Sequence, residues 1–464
     1  MVESSDVLIL GAGFTGLAAA WALGDRAIIV EREDRPGGVV RSERIGDYWF
    51  DHVVHLLYFQ DPDTERRIRG LLGETLAPCP PRAWVETARG TARFPLQLHL
   101  GDLDTETCVR CCREIAELTY APPAEAPANF EQMLLRTFGP TLCETFLFPY
   151  NRKMWQRPLR DLAPSGFTWN IAMPDLDRVL RGAIAPDFDS GSYNAAGWYP
   201  RPPAGAPVRG MEVVSRAIAG QAADLRLRHR VRSIDLDRRI VEVERTGSDG
   251  GASITKLRYR DDLLSTIPLP ALIGLCEQAP VDLKTRCAGL LRNRVLSVLL
   301  AIEGPRPEAP GHWRYYADES LIFTRLIFLH EFDAMCAPPE GWSLLVEIPQ
   351  PAEQPMPDAE ALLQRVIADA RCAGAIDGGS HVAHRAIVPI DPAYVVFRPE
   401  SQPVIADARA FCDAWGVSSL GRYGAWEYCG MSKCLHDGFA WAESLSRPEP
   451  PAPEVPARRA GVTR

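Results

Sequence analysis

Near its start the chain carries an apolar run, residues 7–10 (VLIL), that leads directly into Gly11-Ala12-Gly13-Phe14-Thr15-Gly16 and then an Ala-rich stretch, residues 17–23. An apolar run this short, closed by glycine, predicts a buried parallel strand, and the Ala-rich stretch predicts a helix. The G-x-G-x-x-G spacing between them is what most restricts the fold. Gly11 makes the tight turn, Gly13 lets the backbone approach a pyrophosphate, and Gly16 lets the helix pack against the strand. The helix N-terminus offers free N–H groups and a partial positive charge to the phosphates. A second apolar run, residues 27–30, predicts the next strand and is followed by Glu31. A carboxylate there accepts from ribose hydroxyls and disfavours a 2′-phosphate, so NAD or FAD fits better than NADP. A chance glycine-rich turn would account for the loop alone, but not for strand, loop, helix, strand and acid in that order.

The remaining sequence limits the classes open to such a chain. At 464 residues it exceeds what one core usually supports, so two or three domains are expected. A net charge of −9, with no Lys/Arg-rich run before the tail, argues against a nucleic-acid partner. No apolar run is long enough to span a bilayer, and the first strand leaves no room for a signal peptide, so a soluble cytoplasmic protein is expected. Of the twelve cysteines, Cys108, Cys111 and Cys112 cluster in a helical-looking segment without a matching C-x-x-C pair. That pattern reads as reduced thiols, and no metal site is expected. Zinc-protease and serine-hydrolase patterns are absent.

Strand-like alternation returns at residues 225–243, with turn residues at 235–238, and residues 262–268 read as a strand closing on small polar residues and proline. Residues 421–438 lead into a helical run at 439–445. Joined to the first loop, these give a discontinuous dinucleotide domain drawn from residues 1–75, 210–275 and 400–446. Residues 104–155 are helical in pattern, broken at Pro122, Pro123 and Pro127, so 76–209 reads as a mainly helical substrate domain. Residues 296–302, 312–316, 322–329 and 342–348 read as successive strands, giving an antiparallel sheet domain over 280–399. Residues 447–464, rich in Pro, Ala and Arg, read as a disordered tail. The expected class is α/β: a Rossmann-like FAD-binding domain with a helical substrate domain and an antiparallel β-sheet domain.

The assignment of FAD comes from resemblance. Arg35-Pro36-Gly37-Gly38, with Arg41 and Ser42 after it, resembles the Gly-Gly segment of FAD enzymes of the glutathione-reductase and amine-oxidase type. Residues 148–155 (FPYNRKMW) resemble the UDP-galactopyranose mutases, and other pieces agree in order. Residues 50–55 (FDHVVH) are similar to that family's F-D-x-G-G-H segment, with Val53 and Val54 in place of Gly-Gly. Residues 198–210, 323–328, 391–394 and 421–428 (GRYGAWEY) also resemble its motifs. The FAD motifs are shared with protoporphyrinogen oxidase and the amine oxidases; the pieces around Tyr150–Trp155, Arg325 and 421–428 are the discriminating ones.

The resemblance implies a mutase that interconverts the pyranose and furanose forms of a nucleotide-activated sugar, with N5 of reduced FAD as nucleophile and NADH or NADPH as external reductant. Cofactor contacts would fall at Gly11, Gly13, Phe14, Thr15, Gly16, Glu31, Arg32, Gly38, Val39, Arg41, Ser42, Val231, Thr266, Gly421, Arg422, Tyr428, Met431 and Ser432. Arg325 and Tyr394 would hold anionic oxygens of the substrate, and His55 would stand near the flavin ring. Tyr150, Trp155, Asn170 and Tyr199 would contact substrate, Asn170 standing where the family places an Arg. Plainer alternatives are an ion pair for Arg325, a loop anchor for Tyr394, core packing for Trp155 and a hydrogen-bonded core histidine for His55. The alternative function is an FAD-dependent oxidoreductase, an oxidase or desaturase of the protoporphyrinogen oxidase and amine oxidase group; the two valines and Asn170 favour it.

Overall fold

Residues 7–10 are apolar on both sides of the chain because both sides are covered: each is at most 1% exposed. They end the strand Val2–Leu10, which pairs in parallel with Ala27–Val30 on one side and Ala252–Ser265 on the other. Continuous apolar character is what a parallel strand buried on both faces requires. Asp224–Arg226 extends the sheet beyond Ala27–Val30, and Val417–Ser419 pairs in parallel with Ala252–Ser265. His229–Asp235 and Ile240–Thr246 complete seven strands by antiparallel pairing. The helix Phe14–Leu23 lies against this sheet, and the helix Met431–Ser444 packs on it in turn.

The computed structural model describes residues 2–53, 56–166, 173–185, 196–247, 251–308 and 310–445. His55 and Asn170, together with the expected tail 447–464, lie outside the described residues.

A second sheet of seven strands runs in the order His381–Val395, Arg292–Glu303, Gly341–Pro351, Arg325–Phe328, Trp313–Tyr316, Ala83–Thr87, Gly90–Arg93. Its pairings are antiparallel except that of Ala83–Thr87 with Trp313–Tyr316, which is parallel. Residues 83–93 thus belong to this sheet and not to the helical segment in which the sequence reading placed them. The expected strand over 322–329 is shorter, Arg325–Phe328, because the chain turns into the short helix Leu329–Phe332.

Helices Thr105–Tyr120, Phe130–Leu142 and Phe148–Trp155, with a π-turn at Cys143–Leu147, follow Gly90–Arg93 in sequence. Pro122, Pro123 and Pro127 fall between the first two. Asp104 caps the first by accepting from the Thr107 amide at 3.0 Å, and Asn129 caps the second through Gln132 at 2.9 Å. Each cap satisfies a backbone donor the helix leaves open. Among the described residues no helix is long and apolar enough to cross a membrane.

Candidate functional site

One cavity of about 1530 Å³ runs from the glycine loop of the first sheet to the aromatic residues of the helical segment and the second sheet. At the loop, the Gly11 amide donates to Val30 O at 2.8 Å, and Gly11 holds φ +100°, a conformation that disfavours a side chain. A Cβ on Gly16 would lie 2.1 Å from Gly11 O, so the close approach of helix and strand depends on that glycine. Gly16 therefore supports the loop from behind and does not line the cavity, unlike Gly11, Gly13, Phe14 and Thr15. Glu31 is buried; its carboxylate accepts from the Ala12 amide at 2.8 Å and the Glu33 amide at 3.0 Å. It shapes the loop and also lines the cavity.

Two helix N-termini meet here. Phe14–Leu23 begins at Gly13 and Met431–Ser444 at Gly430, neither with a side-chain cap. The middle of the second packs on the first turn of the other, where a Cβ on Gly438 would be 2.3 Å from Thr15 O, and the first residues of both helices line the cavity. Two sets of open N–H groups and two positive dipole ends thus face one space, the arrangement that binds phosphate. Arg32, Gly38, Val39, Arg41, Val231, Thr266, Gly421, Arg422, Tyr428, Met431 and Ser432 line the same cavity.

Ser42 and Tyr199 do not. Ser42 Oγ donates to Asp51 Oδ1 at 2.6 Å, and the Tyr199 hydroxyl donates to Asp51 Oδ2 at 2.7 Å. Asp51 also accepts from the Met211 amide, so this group ties the hairpin Ser42–Asp51 to the segment leading into the helix Glu212–Ala219. Tyr199 is 1% exposed and belongs to this buried network, a correction to its reading as a substrate contact; Ser42 is corrected likewise as a cofactor contact.

Beside them the cavity wall holds Glu43, which the sequence reading passed over, with Arg35, His52 and Val53, which it named only as parts of motifs. His52 Nε2 bonds Glu43 Oε1 at 2.8 Å, and Arg35 bridges Glu43 at 2.5 Å and Glu212 at 3.0 Å. The hydrogen bond from His52, with Arg35 assisting and burial opposing, holds the Glu43 carboxyl down at about 2. Arg35, Glu43, His52 and Val53 all line the cavity.

At the far end Tyr150, Trp155, Tyr315, Tyr394 and Tyr428 converge with Arg325 and Arg422. Tyr394 and Tyr428 stack at 5.7 Å, Trp155 meets both edge-on, and Tyr150 meets Tyr315 edge-on at 5.5 Å. Burial pushes the Tyr150 and Tyr394 hydroxyls well above their ordinary range, so both stay protonated. Lys153, from the same helix as Tyr150 and Trp155, points away from the cavity. Its Nζ donates to Tyr316 O at 3.0 Å and Asp318 O at 2.7 Å, and burial lowers it to about 8. It fixes the helix to the second sheet.

The charges at this end are already partnered among the described residues. Arg325 gives both arms of its fork to Glu347, Nε to Oε2 and Nη2 to Oε1, each at 2.7 Å. Arg325 and Glu347 stand directly opposite in the antiparallel ladder. Burial works against the guanidinium charge, and the Glu347 carboxylate more than restores it. Arg422 lies 4.4 Å over the Tyr428 ring and donates to Cys429 O at 2.7 Å and Ala393 O at 3.1 Å. Glu347 could have been suspected: it is a lone carboxylate inside the apolar run 342–348. Tyr315 gave no such signal.

Residues 9–75 match the family described as NAD(P)-binding Rossmann-like domain. Over the full chain the fold is similar to that of a reduced UDP-galactopyranose mutase, with 21% identity, TM-score 0.82, and 95% of this chain and 94% of that one covered. It is also similar to a putative protoporphyrinogen oxidase from Exiguobacterium sp. 255-15, with 17% identity, TM-score 0.68, and 96% and 99% covered. A third likeness is to putrescine oxidase with bound putrescine, with 16% identity, TM-score 0.59, and 96% and 100% covered. At these identities the likeness is one of fold.

Proposed function

We propose that the protein is an FAD-dependent enzyme that interconverts the pyranose and furanose forms of a nucleotide-activated sugar. The observation that carries this is the single cavity joining a phosphate-binding loop to a wall of tyrosines. At about 1530 Å³ it exceeds the roughly 300–1,000 Å³ of common ligand pockets, leaving room for a dinucleotide and a second molecule. FAD suits the near end: Gly13 and the two uncapped helix ends suit its pyrophosphate, and Glu31 its ribose. When bound in reduced form, with NADH or NADPH as the source of electrons, FAD supplies the nucleophile for the sugar. The chain's own residues do the rest. Protonated Tyr150 and Tyr394 donate to sugar or phosphate oxygens, and the aromatic faces of Trp155, Tyr315 and Tyr428 cover the sugar and exclude water.

One observation favours the alternative, an FAD-dependent oxidoreductase of the protoporphyrinogen oxidase and amine oxidase group. The Arg325 fork is closed by Glu347, so it offers a diphosphate nothing until that pair opens. The test is to incubate dithionite-reduced protein anaerobically with UDP-galactopyranose and related nucleotide sugars and separate pyranose from furanose products. Isomer formed without stoichiometric use of reductant supports the mutase. Oxygen uptake and peroxide in proportion to product, with no isomer, establishes the oxidoreductase.

A further inference from the structure

The segment joining Arg422 to the helix Met431–Ser444 carries two thiols that the proposed reaction does not use. Cys429 Sγ and Cys434 Sγ are 3.6 Å apart. Among the described residues they are also the only cysteines that line the cavity. Cys429 precedes Gly430, where the helix begins, and the Cys434 amide closes the first helical turn on Gly430 O at 3.2 Å. The turn therefore folds the two sulfurs toward each other. Arg422 fixes the other flank by donating to Cys429 O.

The geometry points to Cys429 and Cys434 as a redox-active dithiol that low-molecular-mass disulfides oxidise to an internal disulfide through the cavity. This rests on the cavity and the sulfur contact, not on the reaction proposed above. Cys434 is the attacking sulfur, because it is the more exposed of the two and sits in the first turn of an uncapped helix, where thiolate is favoured. The contact with Cys429, against the effect of burial, holds its thiol below the ordinary thiol range, while the Cys429 thiol is pushed up. The Cys434 thiolate attacks glutathione disulfide, forming a mixed disulfide and releasing one glutathione thiolate. Cys429 then loses its proton and attacks Cys434 Sγ, releasing the second. Two protein thiols have lost two electrons and two protons, and one external disulfide has become two thiols. To bond, the sulfurs close by about 1.5 Å.

Glutathione disulfide is titrated against the native protein, both as purified and after cofactor removal, with alkylation and peptide mapping at each step. The expected result is a Cys429–Cys434 link, a loss of about 2 Da, formed before any other cysteine reacts. Cys429→Ser should stop the reaction at a glutathione adduct on Cys434, and Cys434→Ser should abolish reaction at both positions. Absence of the link in both preparations, a stable glutathione adduct on wild-type Cys434, or earlier linkage elsewhere in the chain would overturn the inference. The wild-type mapping stands even if a serine variant fails to fold.

Discussion

Gly13 separates what the fold needs from what a ligand needs. It holds φ −75° and ψ 178°, extended backbone open to any residue, and an added Cβ would meet no atom of the described residues within 4 Å. Two small effects oppose each other in Gly13→Ala. The unfolded chain loses freedom, which stabilises by about 0.4–1 kcal/mol. Alanine is also a poorer helix N-cap than glycine, by a similar amount. The protein stripped of cofactor should therefore unfold in urea within about 0.5 kcal/mol of wild type. Binding should respond quite differently, because the methyl occupies the space through which the pyrophosphate approaches the backbone. Overpacking of that kind costs about 1–3 kcal/mol, a loss of roughly five- to 150-fold in FAD affinity read by flavin fluorescence. Gly16→Ala is the converse control. Its Cβ would stand 2.1 Å from a backbone carbonyl that cannot rotate away, so the stripped protein itself should lose at least about 1–3 kcal/mol. Unchanged FAD affinity in a folded Gly13→Ala protein would refute the assignment of this loop to a dinucleotide. Collapse of its stability would show that the glycine serves the fold.

The Arg325–Glu347 pair should behave as a buried unit. Arg325→Met or Glu347→Leu alone leaves one charge without its partner and should cost about 3–5 kcal/mol, while the double variant costs far less than the sum; additive losses in urea unfolding would count against burial of the pair. His330 is buried, neither of its ring nitrogens is hydrogen-bonded among the described residues, and burial lowers it to about 4. Its folded value lies below its unfolded value near 6.5, so the unfolded chain binds the proton first and stability is lost as pH falls from 6.5 through 4. That loss is on the order of 3 kcal/mol, and His330→Phe should flatten this part of the acid-unfolding curve; a variant with the wild-type curve would refute the assignment. Glu43, held down at about 2, should add stability present above 4.5 and lost as pH falls toward 2. Glu43→Gln should remove that step, and its persistence in the variant would point to another carboxylate.

Features written locally were legible in the sequence. The run 7–10 declares a strand buried on both faces, and the spacing of Gly11 and Gly16 declares how tightly strand and helix meet. Features set by pairing across the chain were not. Ala83–Thr87 joins the second sheet through a parallel ladder with Trp313–Tyr316, and nothing in either segment names the other. The closure of Arg325 on Glu347 depends on a register between two strands, so an Arg that reads as a free anion clamp in sequence is half of an ion pair in the fold. Tyr199 has the composition of a site residue, but Asp51 claims its hydroxyl, and only packing decides that.

The first sheet is assembled out of order, and this governs how the protein can be made. Val2–Leu10 is synthesised well before its partner Ala252–Ser265, and Val417–Ser419, which pairs with Ala252–Ser265, comes later still. At translation speeds of about 5–20 residues per second, the opening strand waits roughly 20–80 s for the last member of its sheet. The opening strand keeps an unpaired apolar edge until Ala252–Ser265 emerges, roughly 12–50 s after it, and the loop behind it lacks the second helix end until Met431–Ser444 is made. Folding of this half is therefore post-translational and slow, as pairings of such long sequence separation require. A nascent chain of this kind depends on being shielded from its neighbours until the sheet closes. Expression yield should be limited by chaperone capacity before it is limited by flavin supply.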